Sequence, residues 1–539
     1  MYWIKQYSRQ QLAAFLFLLL FLLPLASAHA EDYVPWALRD HYSFSSEHAS
    51  FKYDLKSAEW RVDIRDRGAI IQDAQCEIVF ADGEVLRLSS LESVKDEREK
   101  FSGPMGNGTY FRSVFRTNRS LQIDYSVARF ADRPFLLLFV SMHNNSAQPI
   151  EIRAVRPVVF DPGSVDLLGE GTKVTRLSTG RRGIFPVIHE DDNASLVRFE
   201  LESPDVTLGI GLLQTGLTNS YIDLQSLDGV WQGSVECKYE PLLRIEPGMT
   251  VGSDPVWLSF SLAEPHEVQQ FHSWAEAAGN PTLNIKAVPS GWITVEEKLP
   301  VTALYEAAGE WDGARVNYAL VPAGWEDRPG SLRGLKPLYP RNMGQVAAEI
   351  VNIGMRPGIT LDPLAVTGAK KAWATTSGDG TAWLDITNPD AFEYGVHQMQ
   401  QVVAWGFQFF VVKPSLIPDE ALRELNVTRA QADSYALQMV ARAARGLPVL
   451  PSADLSFGDD LRKWQRAASS TVFYEEYGLV AGPIRLRVDG LGDISRALAM
   501  AIGQFAGPVE YIGQPKRKVR RKIATISFLP KQEGLKVSR

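Results

Sequence analysis

One change of rhythm constrains this chain more than any other feature. From about Tyr42 to Leu262, apolar and polar residues alternate in short segments broken by turn residues, as in Glu59-Trp60-Arg61-Val62-Asp63-Ile64 and Leu121-Gln122-Ile123-Asp124-Tyr125. A period of two puts alternate side chains on one face of a strand, so this half predicts antiparallel sheets packed face to face. From Ser290 onward, short apolar runs alternate with helical patterns. Residues 316–321, 356–361, 407–412 and 447–450 read as strands, and residues 343–353, 390–404 and 429–445 as helices. Thr387-Asn388-Pro389 supplies a cap and a first-turn proline for the second of these helices. Strands alternating with helices imply a parallel sheet, whose favoured closure over about 230 residues is a (β/α)8 barrel of the TIM type. The expected chain is therefore multidomain. A leader covers residues 1–30, an antiparallel β-supersandwich 31–263 and a linker helix with its connection 264–289. The barrel follows at 290–515, then a basic turn with a C-terminal strand and tail at 516–539.

The leader rests on Lys5 and Arg9, an apolar run from Leu12 to Leu25, and Ala28-His29-Ala30 before Glu31. A basic start, an apolar middle and small residues at the cleavage site make a secretory signal peptide. The run is short of the ~20 residues that span a bilayer, and a retained anchor is the alternative. Without a later apolar run of that kind, no transmembrane helix is expected after signal removal. The expected location is secreted, or in the periplasm or cell envelope. Outside a reducing compartment Cys76 and Cys237 have the option of pairing, and the sequence leaves it open.

A net charge of −7 spread over 539 residues gives no pull toward nucleic acid or an anionic surface. The eight histidines form no His-x-x-x-His or His-Glu-x-x-His pair, and no phosphate loop or Gly-x-Ser-x-Gly elbow occurs, so no metal or cofactor is expected. Residues 516–522 are strongly basic and read as a solvated turn, or else as a dock for an acidic polysaccharide or anionic lipid. Oligomeric state is not set by any of these features.

In a (β/α)8 barrel the chemistry sits at the C-terminal ends of the strands. Those ends carry Pro322-Ala323-Gly324-Trp325, Asp362-Pro363 and Lys413-Pro414-Ser415, and a later strand reads Ile484-Arg485-Leu486-Arg487-Val488-Asp489. A Ser-Gly-Trp opening, a strand ending in Gly-Trp, then "GMRPGITLDP", "WLDITNPDAFEY" and "WGFQFFVVKPS" occur in succession. From Ser290 to Asp489 this order resembles the catalytic domain of the α-galactosidase (melibiase) group of glycoside hydrolases, especially family 36 and its raffinose-synthase-like relatives. The resemblance implies a β-sandwich ahead of the barrel, a glycan as ligand, and a retaining reaction run by two carboxyl groups ~5–5.5 Å apart.

It also assigns positions. Lys413 matches the lysine that bonds sugar hydroxyls, and Arg485 to Asp489 matches the spacing of the acid/base motif, making Asp489 the acid/base candidate. The nucleophile position is Ser415, where the family has an aspartate. The paired aspartates of the second strand end are replaced by Pro322 and Ala323. Arg485, Arg487 and Asp489 also fit alternating positions on one solvated strand. Asp362 is a candidate substrate ligand and a possible relocated acid. Trp292 and Trp325, at strand ends, are candidate sugar platforms, because an aromatic face covers the CH side of a sugar ring. Two readings follow: a divergent glycoside hydrolase using another carboxylate, or a non-catalytic carbohydrate-binding or scaffold protein of the cell envelope.

Overall fold

A computed structural model describes residues 41–45, 49–65, 68–103, 106–131, 133, 135–166, 173–178, 187–188, 196–201, 206–213, 216–227, 230–262, 291–309, 316–335, 337–378, 380–451, 455–456, 484–487 and 509–512. The leader, the linker at 264–289, Asp489 and the basic segment 516–522 lie outside the described residues. The described chain forms two compact units. One takes the residues up to Ser178, those from Leu196 to Leu262, and Leu422–Gln431; the other takes Val187–Ile188, those from Gly291 to Ala421 and those from Ala432 on.

The first unit is built from strands, as the alternation requires. Its elements are β1 (His41–Ser45), β2 (Ala49–Asp54), β3 (Trp60–Ile64), β4 (Gly68–Phe80), β5 (Val85–Arg87), β6 (Ser93–Gly103), β7 (Gly106–Arg116), β8 (Leu121–Phe130), β9 (Phe135–Asn144) and β10 (Ile150–Val165). There follow β11 (Lys173–Ser178), β13 (Leu196–Leu201), β14 (Val206–Leu212), β15 (Asn219–Leu227), β16 (Val230–Ile245), β17 (Thr250–Gly252) and β18 (Val256–Leu262), while the short β12 (Val187–Ile188) is counted with the second unit. One sheet runs β1-β2-β3-β4-β10-β16-β15, and a second runs β11-β13-β14-β18-β9-β8-β7-β6. The strand pairs within them are antiparallel, for example Leu121 with Asn144 and Val127 with Leu138.

Alternate residues of the central strands enter a shared core, where Phe51, Tyr53 and Trp60 of the first sheet meet Phe111, Tyr125 and Leu138 of the second. Tyr53 stacks on Tyr125 at 5.6 Å and Tyr42 on Phe111 at 4.6 Å. Such pairs add about 0.5–1.5 kcal/mol each beyond the area they bury. The edge strand β6 carries Lys95, Asp96, Glu97, Arg98, Glu99 and Lys100 in succession, a charge density that blunts edge-to-edge association. Cys76 on β4 and Cys237 on β16 are both buried free thiols. They lie on opposite sides of β10, a gap of about two inter-strand spacings, roughly 10 Å, which is past the ~7 Å Cα limit for a disulfide.

Leu422–Gln431 completes this unit. Asn426 donates from Nδ2 to the Arg244 carbonyl (2.8 Å) and accepts the Arg244 N–H at Oδ1 (3.2 Å), while the Thr428 hydroxyl donates to the Leu217 carbonyl (2.7 Å).

The second unit holds β19 (Gly291–Thr294), α1 (Val301–Gly309), β20 (Tyr318–Val321), α2 (Met343–Asn352), β21 (Arg356–Leu361), β22 (Ala365–Val366), β23 (Ala374–Thr376), β24 (Ala382–Leu384), α3 (Pro389–Ala404) and β25 (Phe409–Val412). Then come α4 (Asp419–Leu425) and α5 (Arg429–Ala444), whose residues 422–425 and 429–431 are counted with the first unit, β26 (Val449–Pro451), β27 (Leu455–Ser456), β28 (Ile484–Arg487) and β29 (Val509–Ile512). Eight strands form one sheet in the order β26-β25-β21-β20-β19-β29-β28-β27, and neighbouring strands run parallel. No pair joins β26 to β27 among the described residues.

The helix signal at 387–389 acts as read. Asn388 Oδ1 accepts the Asp390 N–H with Pro389 in the first turn of α3. Asn342 Oδ1 likewise accepts the Gly344 N–H to start α2, and Gly354 at φ +90° ends its turn. Strands β20 and β25 begin two residues later than the apolar runs suggest. Between β21 and α3 the chain makes a small antiparallel sheet in the order β22-β24-β23.

Candidate functional site

The C-terminal ends of β19, β20, β21 and β25 each contribute a charged group. After β19, Glu297 reaches Lys413, which follows β25; Lys413 Nζ lies 3.0 Å from Glu297 Oε1. Both are accessible, so this pair is worth under about 1 kcal/mol to stability. Its value is positional: the lysine that the resemblance assigns to sugar hydroxyls stands half-buried at a strand end with an acid beside it.

After β20, Glu326 folds back over its own loop and accepts the backbone N–H groups of Gly330 (3.2 Å) and Leu332 (2.9 Å). After β21, Asp362 turns into the same space. The two acids line one cavity of about 10 Å³ together with Gly330, Thr367, Tyr394 and Gln398. That volume admits about one water and no sugar ring.

Asp362 Oδ1 is sealed from solvent and accepts no hydrogen bond from the protein. Burial pushes the Asp362 carboxyl up to about 7; Glu326 nearby pushes the same way, against the Leu364 N–H and Lys413, and Asp433 adds a little. Glu326 is also raised, mainly by burial, with the two loop N–H groups opposing. Burial thus shifts both acids toward the protonated form relative to an exposed carboxyl.

Ser415 does not look outward from this cluster. It is 3% exposed; its N–H donates to Asp433 Oδ1 (2.6 Å), and its hydroxyl oxygen accepts the Ile417 N–H (3.3 Å). These are the bonds of a serine that shapes a turn, and a hydroxyl so placed supplies no standing negative charge to an oxocarbenium-like centre.

The two tryptophans offered as platforms are corrected by their packing. Trp292 is 1% exposed and lies in the core on one face of the parallel sheet with Tyr318, Leu320, Phe409, Val411 and Leu450, its ring 4.8 Å from Phe409. Trp325 is 2% exposed; its indole N–H donates to the Thr360 carbonyl (2.9 Å) and its ring meets Trp405 edge-on at 6.1 Å. Both rings are spent on the interior. Trp373 is half-buried, but Lys370 Nζ lies 4.1 Å from its ring centre and Tyr394 packs at 5.6 Å. Arg485 belongs to β28, where it pairs in register with Glu510, and Asp489 lies outside the described residues. Asp385, which matches the family at Leu-Asp-x-Thr-Asn-Pro, accepts the Thr387 N–H (3.0 Å) and so serves the entry to α3.

Structure thus brings together Lys413, Asp362 and the turn at Ser415, and adds Glu297, Glu326 and Asp433. Glu326 stands one residue past the quoted Gly-Trp and Glu297 four residues past Ile293, so strand-end position was the available signal for both. Asp433 sits on α5, and nothing local ties it to Ser415. Among the described residues no group of histidine, cysteine, aspartate and glutamate is arranged to hold a metal ion. No helix among them is long and apolar enough to cross a membrane.

No family model matches this sequence, and neither does any curated protein. Solved structures do share its fold. The α-galactosidase from Lactobacillus brevis superposes with a TM-score of 0.54 at 12% identity, over 90% of this chain and 83% of that one. The galactosidase domain of an α-galactosidase-sucrose kinase gives 0.56 at 10%, over 91% and 85%. The α-N-acetylgalactosaminidase from Bifidobacterium bifidum, in complex with GalNAc, gives 0.54 at 10%, over 90% and 92%. The fold of this chain is that of the family 36 α-galactosidases.

Proposed function

We propose that this chain is a carbohydrate-binding member of the glycoside hydrolase architecture, which grips a glycan at its strand ends without the retaining hydrolysis of family 36. In this reading the eight parallel strands close as a (β/α)8 barrel and the protein is exported by its leader to the cell envelope or beyond. The observation that carries it is Ser415. At the strand end where a retaining enzyme needs a carboxylate, the chain has a buried serine bonded to Asp433 and Ile417, while Lys413 beside it stays accessible. Loss of the nucleophile with retention of a sugar-bonding cation describes binding without turnover.

The test combines calorimetry with α-galactosyl oligosaccharides and turnover of an aryl α-galactoside. Saturable binding without release of the aryl group, weakened about tenfold or more by Lys413→Met, is the expected result. A Ser415→Asp/Asp433→Asn double variant, which avoids two buried acids side by side, is the gain-of-activity arm. No binding to any of a broad glycan panel would overturn the proposal and leave a structural envelope role.

A second reading takes Asp362, raised beside Glu326, as a relocated acid, and has against it the cavity those two line, which admits no sugar ring. If the natural protein hydrolyses a glycoside and Asp362→Asn removes that activity, the enzyme reading replaces the first.

A further inference from the structure

We infer that the first unit carries a second, separate binding site, for a small aryl or short acyl carboxylate, between the ends of its two sheets. Strand β8 faces the core with Leu121, Ile123, Tyr125 and Val127, all buried. The next position of the same parity is Arg129, which is exposed. An arginine thus occupies the last core-facing place of an otherwise apolar row. Its guanidinium carbon lies 5.9 Å from the ring centre of Phe44, which belongs to the opposite sheet.

Behind it is a cavity of about 100 Å³. Phe44, Ala49 and Phe51 of the β1–β2 hairpin line one side, and Leu136, which pairs with Arg129 in register, lines the other with Phe130. Among the described residues, Arg133, between β8 and β9, and Ser45 also line it.

The lining selects its ligand. A sugar ring carries hydroxyls around its rim, and these phenyl walls would leave most of them without partners, at a cost of roughly 1–3 kcal/mol each. A neutral hydrocarbon makes no use of the Arg129 charge at the mouth of the cavity. An aryl or short acyl group fits the apolar space, which is comparable to cavities of about 150 Å³ that take up benzene. A carboxylate on that group meets the planar fork of Arg129, for which bidentate pairing is the strong geometry. The inference stands apart from the strand-end site, since none of these residues belongs to the second unit.

The experiment uses the full chain, with benzoate as probe, benzyl alcohol as neutral control and saturation-transfer NMR as readout. Benzoate is expected to bind saturably, at least tenfold more tightly than benzyl alcohol. Arg129→Gln, at an exposed position, should weaken benzoate at least tenfold without moving the melting temperature. Ala49→Leu, which fills the cavity, should abolish binding of both probes; if that variant fails to fold, Arg129→Gln decides alone. Equal binding of the two probes, no effect of Arg129→Gln, or no saturation by millimolar benzoate would each overturn the inference.

Discussion

Replacing Asp362 by asparagine should stabilise the protein, and only above a definable pH. Asparagine keeps the size of the side chain and an oxygen for the Leu364 N–H, and removes a charge from a place where burial and Glu326 oppose it. The carboxyl's midpoint rises from 3.8 in the unfolded chain to about 7 in the folded one. The folded state therefore holds the proton more tightly. Stability is full below pH 4, falls as pH rises through the interval to 7, and stays reduced above it. At 1.36 kcal/mol per pH unit, the interval corresponds to a loss of at most about 4 kcal/mol.

The asparagine variant has no proton to lose. The difference in melting temperature between variant and natural protein should be near zero at pH 4 and on the order of 10 °C in the variant's favour at pH 8, for a unit of this size. Differential scanning calorimetry across that range reads it directly. A difference that does not change with pH, or a variant less stable at pH 8, would refute the account of Asp362 as a strained, charge-averse acid.

Other consequences are quicker to check. Gly330 has φ +72°, and a Cβ there would lie 2.3 Å from the Ala365 carbonyl carbon; Gly330→Ala should cost about 3 kcal/mol or more by thermal melt, since backbone has to move. Lys413→Met should change the melting temperature by less than about 2 °C, because the Glu297 pair is exposed, so any loss of glycan binding in it is local. Cys76 and Cys237 are fully buried, and burial, joined by the nearby Glu77 and Asp254 respectively, raises both thiols. Ellman's reagent should find no reactive thiol in the native protein and two after denaturation without reductant. No thiol in the denatured sample would mean that the two are paired, and so that the strands bearing them are not separated by β10.

How much of this was readable in advance depended on whether the signal was local. The strand at 356–361 and the entry to α3 were legible residue for residue, because a turn glycine, an Asn cap and a first-turn proline act within a few positions of where they stand. Lys413, Ser415 and Asp362 were legible as strand ends. Trp292 and Trp325 were misread because a strand-terminal tryptophan announces its place along the strand but not which surroundings receive its ring. In the fold one meets Phe409 and the other finds the Thr360 carbonyl. The role of Ser415 depended on Asp433 from a helix 18 positions away, and the fate of the two cysteines on which strand runs between theirs. Such facts belong to the sheet order, and sheet order is set by the whole chain.

The Asn426–Arg244 clasp, finally, imposes a timetable on synthesis. Its two residues are 182 positions apart, so at 5–20 residues per second roughly 9 to 36 s separate their appearance from the ribosome. Through that interval the nascent first unit lacks its last segment, with the Arg244 and Leu217 backbone groups still unclaimed. A gene fragment cut where the sequence rhythm changes would hold the unit in that unfinished condition permanently.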